Sequence, residues 1–237
     1  MKRKSAIAVF AVAFAVLTVA AQFFLRSISP LGAPVAAEGI LAAIGGLRSM
    51  VSEAVWMRAG RLQREGKYVE LAQLASTLTH LEPHEPEVWS YAAWNLSYNI
   101  CAMMPTAEDR WRWVLAGMKL LRDDGLRLNP GSPAICRELA LLFEIKFIPK
   151  VDHAFETYRA KWKQIVEDVS ARDAWAERGM DRAAMAEIEE KYNVRDWTSP
   201  FASAIYWARL GLRSADAREK PMLEEILRQS VVLYAKP

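Results

Sequence analysis

Proline sets the frame of this chain. Pro83, Pro86, Pro105, Pro130, Pro133, Pro149, Pro200 and Pro221 stand at the ends of apolar stretches in which Leu, Ala, Trp, Tyr and Phe recur every three to four residues. Inside a helix a proline removes a backbone donor and clashes with the preceding turn, whereas at the first helical position the missing N–H costs little. The apolar period is helical and does not alternate as a half-buried strand would. The expected class is all-α, a series of ordinary helices stopped and restarted by proline. With 52% hydrophobic residues among 237, the chain can bury a substantial core, as one domain or as a stack of repeats.

The prolines also decide a candidate metal site. His80 and His84, with Glu82, Glu85 and Glu87, would suit zinc if both imidazoles lay on one helix face. Pro83 and Pro86 break the helix between them, so the stretch is expected to be a bend between two helices. His153 and Glu156 lack third and fourth ligands at readable spacing. No glycine elbow frames a serine, and no Gly-rich phosphate loop or dinucleotide fingerprint occurs. Glu187, Glu189 and Glu190, like Asp123-Asp124, are expected on solvated helix faces, and Asn95-Leu96-Ser97 falls mid-helix, not on the surface loop that glycosylation needs. An enzyme is therefore not expected, nor is a cofactor or a bound metal.

The formal charge is +3, but residues 1–30 hold four of the 31 basic residues and no acid, which leaves 27 basic against 28 acidic in the remainder. A near-neutral body has no footprint for a nucleic-acid partner. The 21 residues from Ser5 to Leu25 are apolar apart from Ser5, Thr18 and Gln22, and at about 1.5 Å per residue they reach across a ~30 Å hydrocarbon core. Lys2, Arg3 and Lys4 precede the run, so the positive-inside bias puts the N-terminus in the cytoplasm and the body on the periplasmic or exoplasmic side. Val19-Ala20-Ala21 could serve a signal peptidase, although the run is longer than the apolar part of a cleaved signal. The expected organisation is a single-pass anchor in the cytoplasmic membrane at 1–26, a linker at 27–37, and a helical body at 38–237.

Within the body a helix from Val51 to Glu65 stops at Gly66, and a second, with Tyr68, Leu71, Leu74, Ala75 and Leu78 on one stripe, stops at Leu81-Glu82-Pro83. Further pairs follow: Pro86 to Met103 with the Thr106-capped helix closing at "LRLNP", then the Ser132-Pro133 helix with its partner around Phe155 to Val169. After a charged stretch from Arg172 to Tyr192 comes a last pair, Phe201 to Leu212 and Pro221 to Tyr234. Ser52 to Glu85 resembles a tetratricopeptide repeat. Ala59 stands at the helix crossing, Glu65 to Tyr68 matches the glycine-x-aromatic turn, and Leu81-x-Pro83 matches the closing motif, while Arg58, Leu71, Ala75 and Leu78 depart from it. "WSYAAWNLSYNI", "RWRWVLAGMKLLRDDGLRLNP" and "ELALLFEIK" also resemble an uncharacterised bacterial family of membrane-anchored tetratricopeptide-like proteins.

The resemblance implies a right-handed α-solenoid of about four helix pairs whose concave face binds a protein or peptide partner, as a scaffold or as an accessory subunit of a membrane complex. Carried over position by position, it puts Trp56, Met57, Gln63 and Arg64 on that groove from the first unit. Ser90, Tyr91, Trp94, Ser97 and Tyr98 follow from the second, and Arg137, Glu138, Leu141 and Glu144 from the third. In such a stack Cys101 and Cys136 are about twelve positions apart along parallel helices, roughly 18 Å, and a disulfide needs Cα atoms within about 7 Å. Two free thiols are expected.

Overall fold

The computed structural model describes residues 51–149 and 151–236. The expected anchor at 1–26, the linker at 27–37 and the start of the body at 38–50 lie outside the described residues. Those described are all-helical, with no strand among them. Helix α1 covers 51–64 and α2 Tyr68–Leu81. Helix α3 starts as Pro86–Trp94 and runs on through a π-helical turn, Asn95–Ile100, to Cys101–Met103. Helix α4 does the same through Ala107–Lys119, the π-turn Leu120–Gly125 and Leu126–Leu128. Then come α5 (Pro133–Ile145), α6 (Phe155–Ala171), a 3-10 turn at Trp175–Arg178, α7 (Arg182–Tyr192), α8 (Pro200–Leu212) and α9 (Glu219–Tyr234). Among the described residues, no helix is long and apolar enough to cross a membrane.

Local chemistry accounts for the boundaries. Gly66 takes φ +69°, which only glycine adopts freely, and the Lys67 N–H closes α1 on the Leu62 carbonyl at 3.0 Å. Thr106 Oγ1 accepts from Asp109 N at 3.1 Å, Ser132 Oγ from Ile135 N at 3.4 Å and Asp181 Oδ1 from Ala184 N at 2.8 Å, each satisfying one orphan donor at a helix start. Ser199 makes no such bond. His80 ends α2 with Nδ1 2.6 Å from the Ser76 carbonyl, and His84, past the bend, has Nδ1 3.1 Å from the Leu128 carbonyl. Among the described residues no cluster of His, Cys, Asp or Glu could hold a metal ion.

Packing proceeds from small residues and large rings. Helices α3 and α4 run antiparallel at close range: Gly117 lies against Ser97 and Ala93, and Gly125 against Trp89 and Ile135. Helix α5 is parallel to α3, for Ile135 meets its beginning while Lys146 Nζ lies 3.7 Å from Cys101 Sγ near its end. Helix α6 returns antiparallel to α5, held off by rings: Phe143 meets Trp162 at a 4.7 Å centroid distance and Phe147 meets Tyr158 at 6.2 Å. Such ring pairs add about 1 kcal/mol each beyond their buried area.

The last pair departs from the sequence expectation. A Cβ at Gly211, near the end of α8, would lie 2.9 Å from Cys136 Cβ at the start of α5, and Ser214 Oγ donates to the Gly131 carbonyl at 2.5 Å. Helix α8 therefore runs antiparallel to α5, not parallel as its successor in a stack would. Between α6 and α8 lies α7, which meets α8 through Glu187, bonded to Arg209 and Arg213 at 2.9 Å each. Ala202, Ala204, Ala208 and Gly211 let α8 approach closely, and its residues from Phe201 to Ala208 are all buried. A helix apolar all round belongs in the interior; α5, α7 and α9 cover it with Leu139, Met185, Ile188, Leu223 and Ile226.

Candidate functional site: an aromatic strip on the first helices

The residues expected to line a groove separate into three groups. Met57 and Arg64 are exposed, Met57 to 65%. Trp56, Gln63, Ser90, Tyr91, Trp94, Tyr98, Arg137 and Leu141 are half-buried, and Ser97, Glu138 and Glu144 are buried.

Four of the half-buried residues form two ring pairs along α1 and α3. Trp56 and Tyr91 are 5.1 Å apart at 60°, the Tyr91 hydroxyl donates to Gln63 Oε1 at 3.2 Å, and Trp56 Nε1 donates to Glu82 Oε2 at 3.3 Å. One helical turn on, Trp94 and Tyr98 stack at 6.0 Å and 28°. Ser90, between the pairs, has a buried hydroxyl with no partner among the described residues. Amphipathic rings with a polar handle, half covered and half wet, are the side chains that recognition surfaces favour.

Three expected groove residues face inward, which corrects their placement as exposed contacts. Ser97 Oγ points at Gly117 of α4, one turn after the buried Ala93 that faces the same glycine. Glu144 is covered where α9 docks parallel to α5, and Glu138 is buried with its carboxylate acting on Tyr98 of α3. Arg137 Nη1 donates to both Glu219 carboxylate oxygens at 2.7 Å, and Glu144 Oε2 accepts from Ser230 Oγ at 2.9 Å. Burial raises both carboxyls above their ordinary values, opposed by Arg137 at Glu138 and by the Ser230 hydrogen bond at Glu144, where Glu225 adds to the rise. The third unit's share of the expected groove is thus occupied by the chain's own last helix.

Beneath the strip lies a polar network that the sequence reading missed. Lys146 Nζ donates to Asp152 Oδ2 at 2.7 Å, and the Tyr158 hydroxyl donates to the same oxygen at 3.0 Å. Asp152 Oδ1 accepts from Ala154 N at 3.0 Å with Arg110 Nη1 at 3.5 Å, and Cys101 Sγ lies 3.4 Å from the Tyr158 hydroxyl. The ammonium also stands 5.0 Å over the Tyr98 ring, which ties the network to the strip. Burial pulls the Asp152 carboxyl up, but the Lys146 ammonium, the Ala154 N–H and the Tyr158 hydroxyl outweigh it and hold the group below the ordinary carboxylate value. Burial raises the Tyr98 and Tyr158 phenols. A thiol, an amine, a carboxylate and a phenol within hydrogen-bond reach are reactive groups by type. Cys101, Tyr158, Lys146 and Asp152 are, however, 0, 0, 4 and 8% exposed, so the network joins the ends of α3, α5 and α6 and offers a substrate almost no surface. The signal was present: Lys146 follows Leu139, Leu142 and Phe143 on the apolar stripe of α5, where a lysine needs a buried partner.

Cys101 and Cys136 are both buried and free. No family model, curated protein or solved structure matches the chain.

Proposed function

We propose that this chain is a membrane-anchored, tetratricopeptide-like binding protein, not an enzyme, and that its first two helix pairs present the docking surface for a protein or peptide on the non-cytoplasmic side of the membrane. The observation that carries the reading is the half-buried row Trp56, Tyr91, Trp94 and Tyr98, flanked by exposed Met57 and Arg64. The parallel course of α3 and α5, with α4 and α6 returning on the same side, supports a short solenoid of three pairs. Helices α8 and α9 then stand in place of a fourth repeat and cover the third.

The test is capture from native membranes in mild detergent, comparing the full-length chain with Arg64→Glu and Met57→Asp. Both positions are exposed, so melting should be unchanged within about 0.5 kcal/mol. The partner retained by the wild type should fall at least tenfold, about 1.4 kcal/mol, in each variant, and be kept by Glu190→Arg on α7. Equal retention by all four proteins would refute the strip as the docking surface.

A further inference from the structure

The second unexplained feature lies where α4, α5, α6 and the 3-10 turn meet. Arg122, Arg178, Trp162, Phe143, Met180 and Trp207 line a narrow, partly open cavity with about 10 Å³ of free space, enough for one small group. The polar side chains in its lining, Arg122, Arg178, Trp162 and Trp207, carry N–H donors and no acceptor. Trp162 is 4% exposed and its indole N–H has no acceptor among the described residues. Arg178 Nε is likewise buried without a partner, and Arg178 makes no ion pair among the described residues.

The nearby acids are committed elsewhere. Asp123 takes the Arg122 fork, with Nε at 2.5 Å and Nη2 at 2.8 Å, and Glu177 accepts from Arg172 at 3.3 Å. A guanidinium cannot shed its proton in a protein as a buried lysine can, so its charge must be answered or left as a cost. Burial and then repulsion from Arg122 both work against the charge on Arg178, only partly offset by Asp123 and Glu177. Aromatic walls and N–H donors without an acceptor suit a small, weakly hydrated anion better than a cation or a neutral apolar group.

We propose that this cavity is a binding site for a small monovalent anion of chloride size, held by Arg178 Nε and the Trp162 indole N–H with Arg122 supplying further positive charge. Anion binding would give a partner to the one arginine of this cluster that makes no ion pair among the described residues, and would tie the turn after α6 to the α4–α5–α6 core.

The experiment follows the Trp162 indole resonance of the full-length, nitrogen-15-labelled protein in a non-ionic detergent, assigned by its loss in Trp162→Phe. Sodium chloride is exchanged for sodium gluconate at constant ionic strength, gluconate being too large for the cavity. A saturable shift with chloride that gluconate does not reproduce is expected. Arg178→Gln should weaken the response at least tenfold, whereas Arg195→Gln on the exposed loop should leave it intact. Identical indole positions in the two salts would show that water alone fills the cavity and would overturn the proposal, and this wild-type comparison stands even if a variant fails to fold. A chloride response that Arg178→Gln leaves unchanged would refute the assignment as well.

Discussion

Replacing Lys146 with methionine tests the buried network most directly, because the change keeps most of the side-chain length and removes only the charge. Asp152 would then keep its Ala154 and Tyr158 hydrogen bonds and the Arg110 guanidinium at 3.5 Å, but lose the ammonium at 2.7 Å. Breaking one side of a buried pair costs about 3–5 kcal/mol. Arg110 offsets part of this, so about 3 kcal/mol is expected at neutral pH, a fall in Tm of roughly 6–12 °C for a body of this size. The pH dependence distinguishes this mechanism from simple misfit. In the wild type the folded carboxyl titrates below its unfolded value, so its contribution is present above the unfolded pKa and lost as pH falls through the folded one. In Lys146→Met the burial that already opposes ionisation dominates, the folded pKa moves above the unfolded value, and protonation relieves the penalty. The stability gap between the two proteins should therefore narrow as pH falls from neutral through the ordinary carboxylate range and below it, and Lys146→Met with Asp152→Asn should recover most of the loss at neutral pH. Urea denaturation across that range reads all three. A gap that is constant with pH would mean that the loss is one of packing and would refute the charge argument.

Other outcomes rest on single contacts. A Cβ at Gly117 would collide with Ser97 Oγ, so Gly117→Ala should cost about 1–3 kcal/mol in urea denaturation, and Ser97→Ala, which also removes an unpartnered buried hydroxyl, should be near neutral alone and restore part of the loss in combination. Burial pushes the Cys136 thiol up to about 12, and Cys101 is fully covered, so a thiol reagent should label neither quickly in the folded protein and both after unfolding, with no intramolecular disulfide by mass spectrometry. Tyr98→Ala should lower stability by about 2–3 kcal/mol, since the ring stacks on Trp94 beneath the Lys146 ammonium, while Arg64→Ala should be silent in the same melt. Protease added outside intact spheroplasts should digest the chain beyond Pro34, and protection until lysis would reverse the proposed topology.

The sequence by itself determined the elements. Gly66 with its positive φ, Thr106, Ser132-Pro133 and the Pro83–Pro86 bend act over four or five residues, so helix limits and the separation of His80 from His84 were legible without knowing what packs where. The free cysteines came from the same logic, as a distance along parallel helices. Tertiary structure alone decided direction and depth. Nothing local says that α8 runs antiparallel to α5 or that α9 lies over Arg137 and Glu144. Only the packing of α4 put Gly117 against Ser97, and the partners of Lys146 came from α3, α6 and the loop between α5 and α6, up to 45 residues away in the chain. Periodicity reports which face of a helix is apolar; which neighbour covers that face depends on contacts between distant segments, and those exist only once the helices have packed.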